Sequence, residues 1–380
     1  MKTIERLILK YTIRLVYLIS SLLPLKKRVV FATNRTDVLA DNFKFIYREM
    51  KSQELDFDYV FLLRPMKSGV KEKIFYFLHL LKATHYLATS SFFLVDDYYF
   101  PIYVVNLRKG TEVIQVWHAC GAFKKFGYSV LGKSYGADDN YVKYVPIHKN
   151  YSHVLVSSKE VIPHYAEAFN MDGSRIHPMG IPRTDLFFND ALKTEAIERV
   201  YRKYPELKGK KLVLYAPTFR GVVRQQIDVV MPFDLKQVTE SLGEDMILGL
   251  KMHPFVSKSF DLEGLEKVIN LSDYPEVNDL LLVTDVLISD YSSLVFEFSL
   301  LERPMIFYAH DRVDYIAERD FYYEYESFVP GPIVERTEEL IHQLKSSDFD
   351  MEKVKDFKSK FFDQPDGKVT ERFVEQIILK

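Results

Sequence analysis

The stretch from Leu281 to Phe307, LLVTDVLISDYSSLVFEFSLLERPMIF, limits the folds open to this chain more than any other. Val286, Leu287 and Ile288 form a short apolar run of the kind a buried parallel strand requires. Asp290, Ser292 and Ser293 crowd the point where a helix must begin. Hydroxyl side chains at a helix start satisfy orphan N–H groups, and the same N–H groups attract anions. A helix from Leu294 to about Glu302 must stop before Pro304, which disfavours helix at the residue preceding it. Met305 to Tyr308 then reads as the next strand. The unit is strand, tight polar turn, helix, strand. Glu297 lies four residues after Ser293 and five after Ser292, so the three-residue spacing of a capping box does not explain it. A carboxylate one turn into a helix that faces a nucleotide phosphate can accept hydrogen bonds from ribose hydroxyls.

The same rhythm runs through the chain. Arg28–Thr33 and Asp58–Leu63 read as strands, with a helix over Asn42–Lys51 between them. Ile74–Leu81 follows as a helix, then a strand near Tyr86–Thr89. Phe92–Val95, Val113–Val116 and Val154–Ser157 continue the series, and a helix covers Glu160–Phe169. After a polar helix over Thr194–Tyr204 comes Lys208-Gly209-Lys210-Lys211, the most hinge-like composition in the chain. A second series begins there, with Leu212–Tyr215, Met246–Lys251, Val268–Leu271, Val286–Ser289 and Met305–Tyr308. Strands alternating with helices predict parallel sheets covered on both faces, and 380 residues exceed what one core usually supports. The expected fold is α/β: two doubly wound domains, 28–207 and 208–380, facing across a cleft.

Residues 1–27 differ from the rest. Seven basic residues among the first 28, from Lys2 to Arg28, stand against Glu5 alone. The uncharged run Leu15–Leu25 is shorter than the ~20 residues that a bilayer span needs, and no small-residue cleavage site follows. Ile4, Leu7, Ile8, Tyr11, Leu15 and Leu18 fall at helical spacing among the basic residues, which suits a helix lying on an anionic membrane surface. The competing expectation is a first helix packed on the protein's own core. A net charge of -2 argues against nucleic-acid binding through general electrostatics. One cysteine, Cys120, excludes an intrachain disulfide and any multi-cysteine metal site.

In open parallel sheets, ligands bind beyond the carboxyl ends of the strands. Four expected strand ends carry polar chemistry: Trp117-His118 after Val113–Val116, Thr218-Phe219-Arg220 after Leu212–Tyr215, His253-Pro254 after Met246–Lys251, and Asp290–Ser293 after Val286–Ser289. His118, in the first domain, can take a proton from an alcohol near neutral pH. Lys124 and Lys125 can draw in an anionic acceptor. Arg220 and His253 suit recognition of a diphosphate, with Thr218 and the serine turn beside them. No HExxH, cysteine cluster or acidic triad points to a fixed metal, and no tightly bound cofactor is expected.

These segments, in this order, resemble the CDP-glycerol/CDP-ribitol polyol-phosphate transferases of bacterial wall teichoic acid synthesis. The resemblance runs from about Val29 to the C-terminus. It is densest in VIQVWHACGAFKKFGYS, GIPRTDLFF, VLYAPTFRG, LKMHPFV, VTDVLISDYSSLVFEF, RPMIFYAHD and ESFVPGPIV. It implies a GT-B-like fold and an enzyme bound peripherally to the cytoplasmic face of the membrane. The implied reaction moves glycerol phosphate or ribitol phosphate from CDP-glycerol or CDP-ribitol to a hydroxyl of an undecaprenyl-linked teichoic acid acceptor, releasing CMP. His118 and His253 match the family's active-site histidines. Asp290, Ser292, Ser293 and Glu297 match its nucleotide-diphosphate turn and helix. Ala119-Cys120-Gly121, EVNDLLLVTD and RDFYYEYESFVPG look like the ribitol-phosphate polymerase branch. Mg²⁺ on the donor's diphosphate is compatible with this chemistry. The alternative activity is a GT-B glycosyltransferase using a nucleotide-sugar. A catalytically silent membrane scaffold is a third reading, against which the retained His118, His253 and serine turn argue.

Overall fold

In the computed structural model, residues 3–133, 135–218, 231–252, 262 and 264–380 are described. The chain divides into two compact units, Met1–Asp185 with Asp363–Lys380, and Leu186–Phe362.

The first unit opens with helix α1 (Thr3–Ser20) and holds six strands: β1 (Lys26–Thr33), β2 (Asp58–Leu63), β3 (Ser90–Val95), β4 (Glu112–Gln115), β5 (His153–Leu155) and β6 (Ile176–His177). Helices α2 (Asp41–Ser52) and α3 (Val70–Thr89) join the first three strands, and α4 (Asp139–Tyr144) and α5 (Ile162–Phe169) follow β4 and β5. All strand pairs are parallel, in the order β2-β1-β3-β4-β5-β6. Such strands are covered on both faces, so β1 reads as an unbroken apolar run; Val29, Val30, Phe31 and Ala32 are wholly buried.

The second unit begins with α6 (Asp190–Lys203). Its sheet comprises β7 (Lys211–Tyr215), β8 (Met246–Leu250), β9 (Val268–Asn270), β10 (Thr284–Ser289), β11 (Met305–Tyr308) and β12 (Ile333–Val334); α7 (Val277–Leu282) packs on α6, and α8 (Leu294–Ser299) on α9 (Met351–Phe361). The order is β12-β11-β10-β7-β8-β9, all parallel. Counted from β7, this is the 3-2-1-4-5-6 arrangement of dinucleotide-binding sheets.

Three expectations are corrected. Tyr86–Thr89 is the last turn of α3, and the strand starts at Ser90. Leu80, Ala83, Thr84, Leu87 and Ala88 are buried at helical spacing, and Thr84 and Thr89 donate back to the carbonyls of Leu80 and His85, so the 3.6-residue period prevails. The units divide after Asp185, well before Lys208, because α6 is tied into the second unit. There Arg199 forks onto the Asp279 carboxylate at 3.0–3.2 Å, and Tyr274 donates to the same group. The last residues do not stay with the second unit. The Asp185 carboxylate accepts from Val369 N, Thr370 N and Thr370 Oγ1 at 2.6–2.9 Å, and Phe373 and Val374 pack with Val29, Phe31 and Ile46.

α1 packs on α3 and buries Ile13 and Tyr17. Ile4, Ile8, Tyr11, Leu15 and Leu18 are each 59–71% exposed on its other side.

Candidate functional site

In the first unit the strand order reverses between β1 and β3, and at such a switch point the loops leaving the strands part to form a crevice. Thr33, Arg35 and Asp41 follow β1, Asp96 follows β3, and His118 follows β4. His118 is presented by a turn that a bulky residue adopts only under constraint. Trp117 has φ 49°, in the left-handed region, where a non-glycine residue pays in backbone strain. The surroundings enforce the turn. Trp117 N donates to the Gln115 side chain at 2.9 Å, and Asn42 Nδ2 donates to the Trp117 carbonyl at 2.9 Å. Arg183 Nη2 donates to the His118 carbonyl at 3.0 Å, and Arg183 N donates to Asn42 Oδ1 at 3.1 Å. The indole stacks on the imidazole with centroids 4.4 Å apart and on Phe126 at 5.1 Å.

The protonation of His118 follows from its partner. Nδ1 lies 3.1 Å from the Asp96 main-chain oxygen, which can only accept. Nδ1 therefore carries the proton, and Nε2 is left with a lone pair. Burial, with the Arg35 cation next, lowers the His118 pKa from 6.5, against the opposing pull of Asp97 and the Asp96 carbonyl. The ring is held neutral at physiological pH, the form a general base needs.

Around it lies a charge network. Burial works to raise the Asp41 pKa, but Arg183 and Arg35 more than offset it and keep the carboxylate ionised. Arg183 Nη1 sits 3.1 Å from Asp41 Oδ1, and Arg35 Nη1 lies 3.5 Å from Asp41 Oδ2 and 4.0 Å from Asp96 Oδ2. Asp96, 5% exposed, behaves oppositely: burial pushes its pKa up to about 7, with Asp97 and Asp41 acting in the same direction. Thr33 Oγ1 donates to Asp96 Oδ2 at 3.0 Å, whereas Oδ1 is buried without a hydrogen-bond partner. Lys124 and Lys125 lie half-buried farther along the loop that follows His118.

The switch point of the second unit falls between β7 and β10. Thr218 N donates to Asp290 Oδ1 at 2.7 Å, and Tyr291 N to the same oxygen at 2.5 Å. Ser289 Oγ donates to the Ala216 carbonyl at 2.8 Å, and Tyr325 OH to the Asp290 carbonyl at 3.2 Å. Asp290, 2% exposed, thus ties together the two loops that border the crevice. Ser292 Oγ accepts from Leu294 N at 3.3 Å, whereas the Ser293 side chain makes no capping bond. α8 ends at Ser299 and tightens through bonds from Leu301 N and Glu302 N to the carbonyls three residues back, short of the helix expected to Glu302. Glu297 is on α8 and buried. Lys251, at the end of β8, donates to the Ser272 and Tyr274 carbonyls at 2.7 Å, and burial lowers its pKa to about 8. Arg220 and His253 lie outside the described residues.

His118 thus stands at the switch point of the first unit, and Thr218, Asp290, Ser292 and Ser293 gather at that of the second. Sequence reasoning missed Arg35, Asp41, Asp96 and Arg183. Arg183 stands inside the GIPRTDLFF segment. Among the described residues, no three His, Cys, Asp or Glu side chains are grouped to hold a metal ion.

Comparison with known proteins identifies the family. Residues 15–379 match the family described as CDP-Glycerol:Poly(glycerophosphate) glycerophosphotransferase. The chain is 44% identical to the teichoic acid ribitol-phosphate primase of Bacillus spizizenii, over 99% of this chain and 98% of that protein. It is 40% identical to the teichoic acid poly(ribitol-phosphate) polymerase of the same organism, over 95% of this chain and 58% of that one. A structure of the wall teichoic acid polymerase TagF soaked with CDPG superposes with a TM-score of 0.80 at 25% identity, covering 99% of this chain and 95% of that one. With the matched region extending over almost its whole length, the chain belongs to the CDP-glycerol:poly(glycerophosphate) glycerophosphotransferase family.

Proposed function

We propose that this enzyme transfers ribitol phosphate or glycerol phosphate from its CDP-linked form to a hydroxyl of an undecaprenyl-linked teichoic acid acceptor, releasing CMP. The observation that carries the reading is the His118 turn: a strained backbone, held by Asn42 and Arg183, that leaves a neutral imidazole with an uncommitted Nε2. That is the geometry of a general base for an alcohol. Nε2 takes the proton of the acceptor hydroxyl, whose oxygen attacks the phosphorus bearing the polyol. The bond to the CMP oxygen breaks, and CMP leaves. Lys124 and Lys125 attract the anionic acceptor.

On the donor side, Thr218, Ser292 and Ser293 border the diphosphate and Asp290 holds the loops that carry them. Glu297 receives the ribose hydroxyls. His253 and Arg220 stabilise charge on the diphosphate as CMP departs. Mg²⁺, where it takes part, accompanies the donor's diphosphate. A GT-B-like arrangement, with acceptor and donor held by different units, suits a reaction that joins two large substrates. Ribitol is the favoured polyol, since the ribitol-phosphate enzymes named above share 40–44% identity with this chain, whereas a glycerol-phosphate primase of Bacillus subtilis shares 31%. The higher identity to the ribitol-phosphate primase, 44% against 40% for the polymerase, favours priming over polymerisation.

No helix of the described residues is long and apolar enough to cross a membrane. Peripheral attachment through α1, on the cytoplasmic side where a CDP-linked donor is available, is part of the proposal. Its support is the exposed apolar side of α1 among basic residues.

The test is CMP release by purified protein given CDP-ribitol and CDP-glycerol separately with a lipid-linked acceptor analogue. CMP from CDP-ribitol that stops after one addition is expected. Release from neither donor would overturn the reading and favour a nucleotide-sugar donor.

A further inference from the structure

Behind the His118 turn lies a buried polar cluster that takes no part in the steps above. β3 and β4 are joined by main-chain bonds as far as Val116 N, which donates to the Val95 carbonyl at 2.8 Å. Past that point the Gln115 side chain reaches from one strand end to the other. Gln115 closes β4 and is wholly buried. Its Oε1 accepts from Trp117 N at 2.9 Å, on the loop after β4. Its Nε2 donates to the Asp97 carbonyl at 3.2 Å, on the loop after β3, and to Tyr151 OH at 3.0 Å. The orientation of the amide follows from these partners. A main-chain N–H can only donate and a carbonyl can only accept, so each side of the amide has one allowed place.

Tyr151 OH anchors the amide from behind. It also meets Tyr103 OH at 2.8 Å and His148 Nδ1 at 3.1 Å. A hydroxyl has one donor and two acceptor positions, so three partners fill it and fix its place. Burial raises the pKa of Tyr103 and Tyr151 and pushes that of His148 down to about 3. All three are neutral at physiological pH, so the anchor keeps one protonation state.

The two loops that Gln115 joins are the two that make the base. His118 follows Trp117, and the carbonyl that fixes its tautomer belongs to Asp96, next to Asp97. A shift of either loop lengthens the 3.1 Å contact from His118 Nδ1 to the Asp96 oxygen, and with it goes the preference for the proton on Nδ1. An imidazole that holds its proton on Nε2 cannot accept one there.

We propose that Gln115, anchored by Tyr151, is a positioning residue for the reaction: its amide holds the loops after β3 and β4 at the spacing that keeps the His118 proton on Nδ1 and leaves Nε2 open to the acceptor hydroxyl. The proposal rests on His118 as the general base and adds the device that fixes its tautomer. Asn42 and Arg183 bond the carbonyls of the turn. Gln115 ties the turn to the Asp96–Asp97 loop.

The test compares three variants of the full chain. Gln115→Met keeps the length of the side chain without its polar atoms, Tyr151→Phe removes the anchor, and Leu87→Ala opens a cavity on the buried side of α3 as a destabilised control. The readouts are CMP-release kinetics and the ¹⁵N spectrum of the histidine rings, in which the His118 signals are those absent from His118→Ala. In Gln115→Met, kcat should fall at least about tenfold with donor KM within about twofold of the wild type. Its His118 Nδ1 signal should move toward that of an unprotonated nitrogen. Tyr151→Phe should show the same two changes to a smaller extent. Leu87→Ala should lower the melting temperature and leave kcat and the ring signals as they are. Unchanged His118 signals in Gln115→Met, or an equal loss of kcat in Leu87→Ala, would overturn the positioning role while leaving the base standing. Full turnover in His118→Ala would overturn both. Should Gln115→Met fail to fold, Tyr151→Phe is judged against Leu87→Ala on the same criteria.

Discussion

Arg183→Ala probes the link between the charge network and the base. Arg183 is 7% exposed; it pairs with Asp41 at 3.1 Å and donates to the His118 carbonyl at 3.0 Å. Breaking a buried ion pair by removing one partner costs about 3–5 kcal/mol. The Asp41 side chain retains 36% exposure, so water recovers part of that. With about 1 kcal/mol for the lost hydrogen bond, the expected destabilisation is about 3 kcal/mol. The larger consequence is for the turn. Without the fork, the backbone of the strained Trp117–His118 segment keeps its bonds to Asn42 and the Gln115 side chain but loses the one to the His118 carbonyl. Misplacement by a fraction of an ångström costs a large share of the ~10²–10⁴-fold that a positioned base contributes. The variant should therefore lose at least about tenfold in kcat with little change in donor KM. Arg183 also lowers the His118 pKa. Its removal, with Asp41 left to Arg35 alone, raises that pKa, so the acid limb of the kcat/KM profile should move to higher pH. Initial-rate CMP release from pH 5 to 9 and denaturant melts read all three quantities. Arg183→Lys keeps the charge but not the fork, and should restore the pH limb more fully than kcat. Lost stability with an unchanged kcat and an unmoved acid limb would refute the argument and leave Arg183 a purely structural residue.

Other expectations follow from the same geometry. His118→Ala should lower turnover by about 10²–10⁴-fold while CDP-polyol binding, measured by calorimetry, stays nearly unchanged; equal loss of both would reject it as the base. The Asp96 pKa is raised from 3.8 to about 7, so the stability it contributes is complete below pH 3.8 and lost as pH rises through 7. Asp96→Asn, which keeps the shape without the charge, should be more stable than the wild type at pH 8, by up to about 4 kcal/mol, and show no such gain at pH 4. A melting temperature equally altered at both pH values would reject this. Asp290→Ala should release the Thr218 loop, cost about 1–3 kcal/mol through the unpaired N–H groups, and raise donor KM more than it lowers kcat.

The sequence alone determined the strand–helix rhythm and the strand ends worth watching. A parallel strand buried on both faces must be apolar along its length, so runs such as Val29–Ala32 and Leu287–Ile288 are visible without a partner. Chemistry placed just after such a run must lie at the carboxyl edge of a sheet, which is why His118, Thr218 and the Asp290–Ser293 turn were legible. Local periodicity also has limits. It set Tyr86–Thr89 in a strand, where the buried side of α3 continues the helix.

Only the tertiary structure decided what lies beside what. Arg183 meets Asp41 across 142 positions of sequence, and the Asp185 carboxylate accepts from Val369 N and Thr370 N across 184 and 185. No spacing rule encodes a contact between residues so far apart. The strand orders, and with them the two switch points, are fixed by which edges pair as each sheet closes over its core. The left-handed turn at Trp117 is likewise invisible in sequence, because nothing in the residue itself favours φ 49°. Asn42 and Arg183, brought in by two distant segments, and the neighbouring Gln115 side chain together bond its backbone.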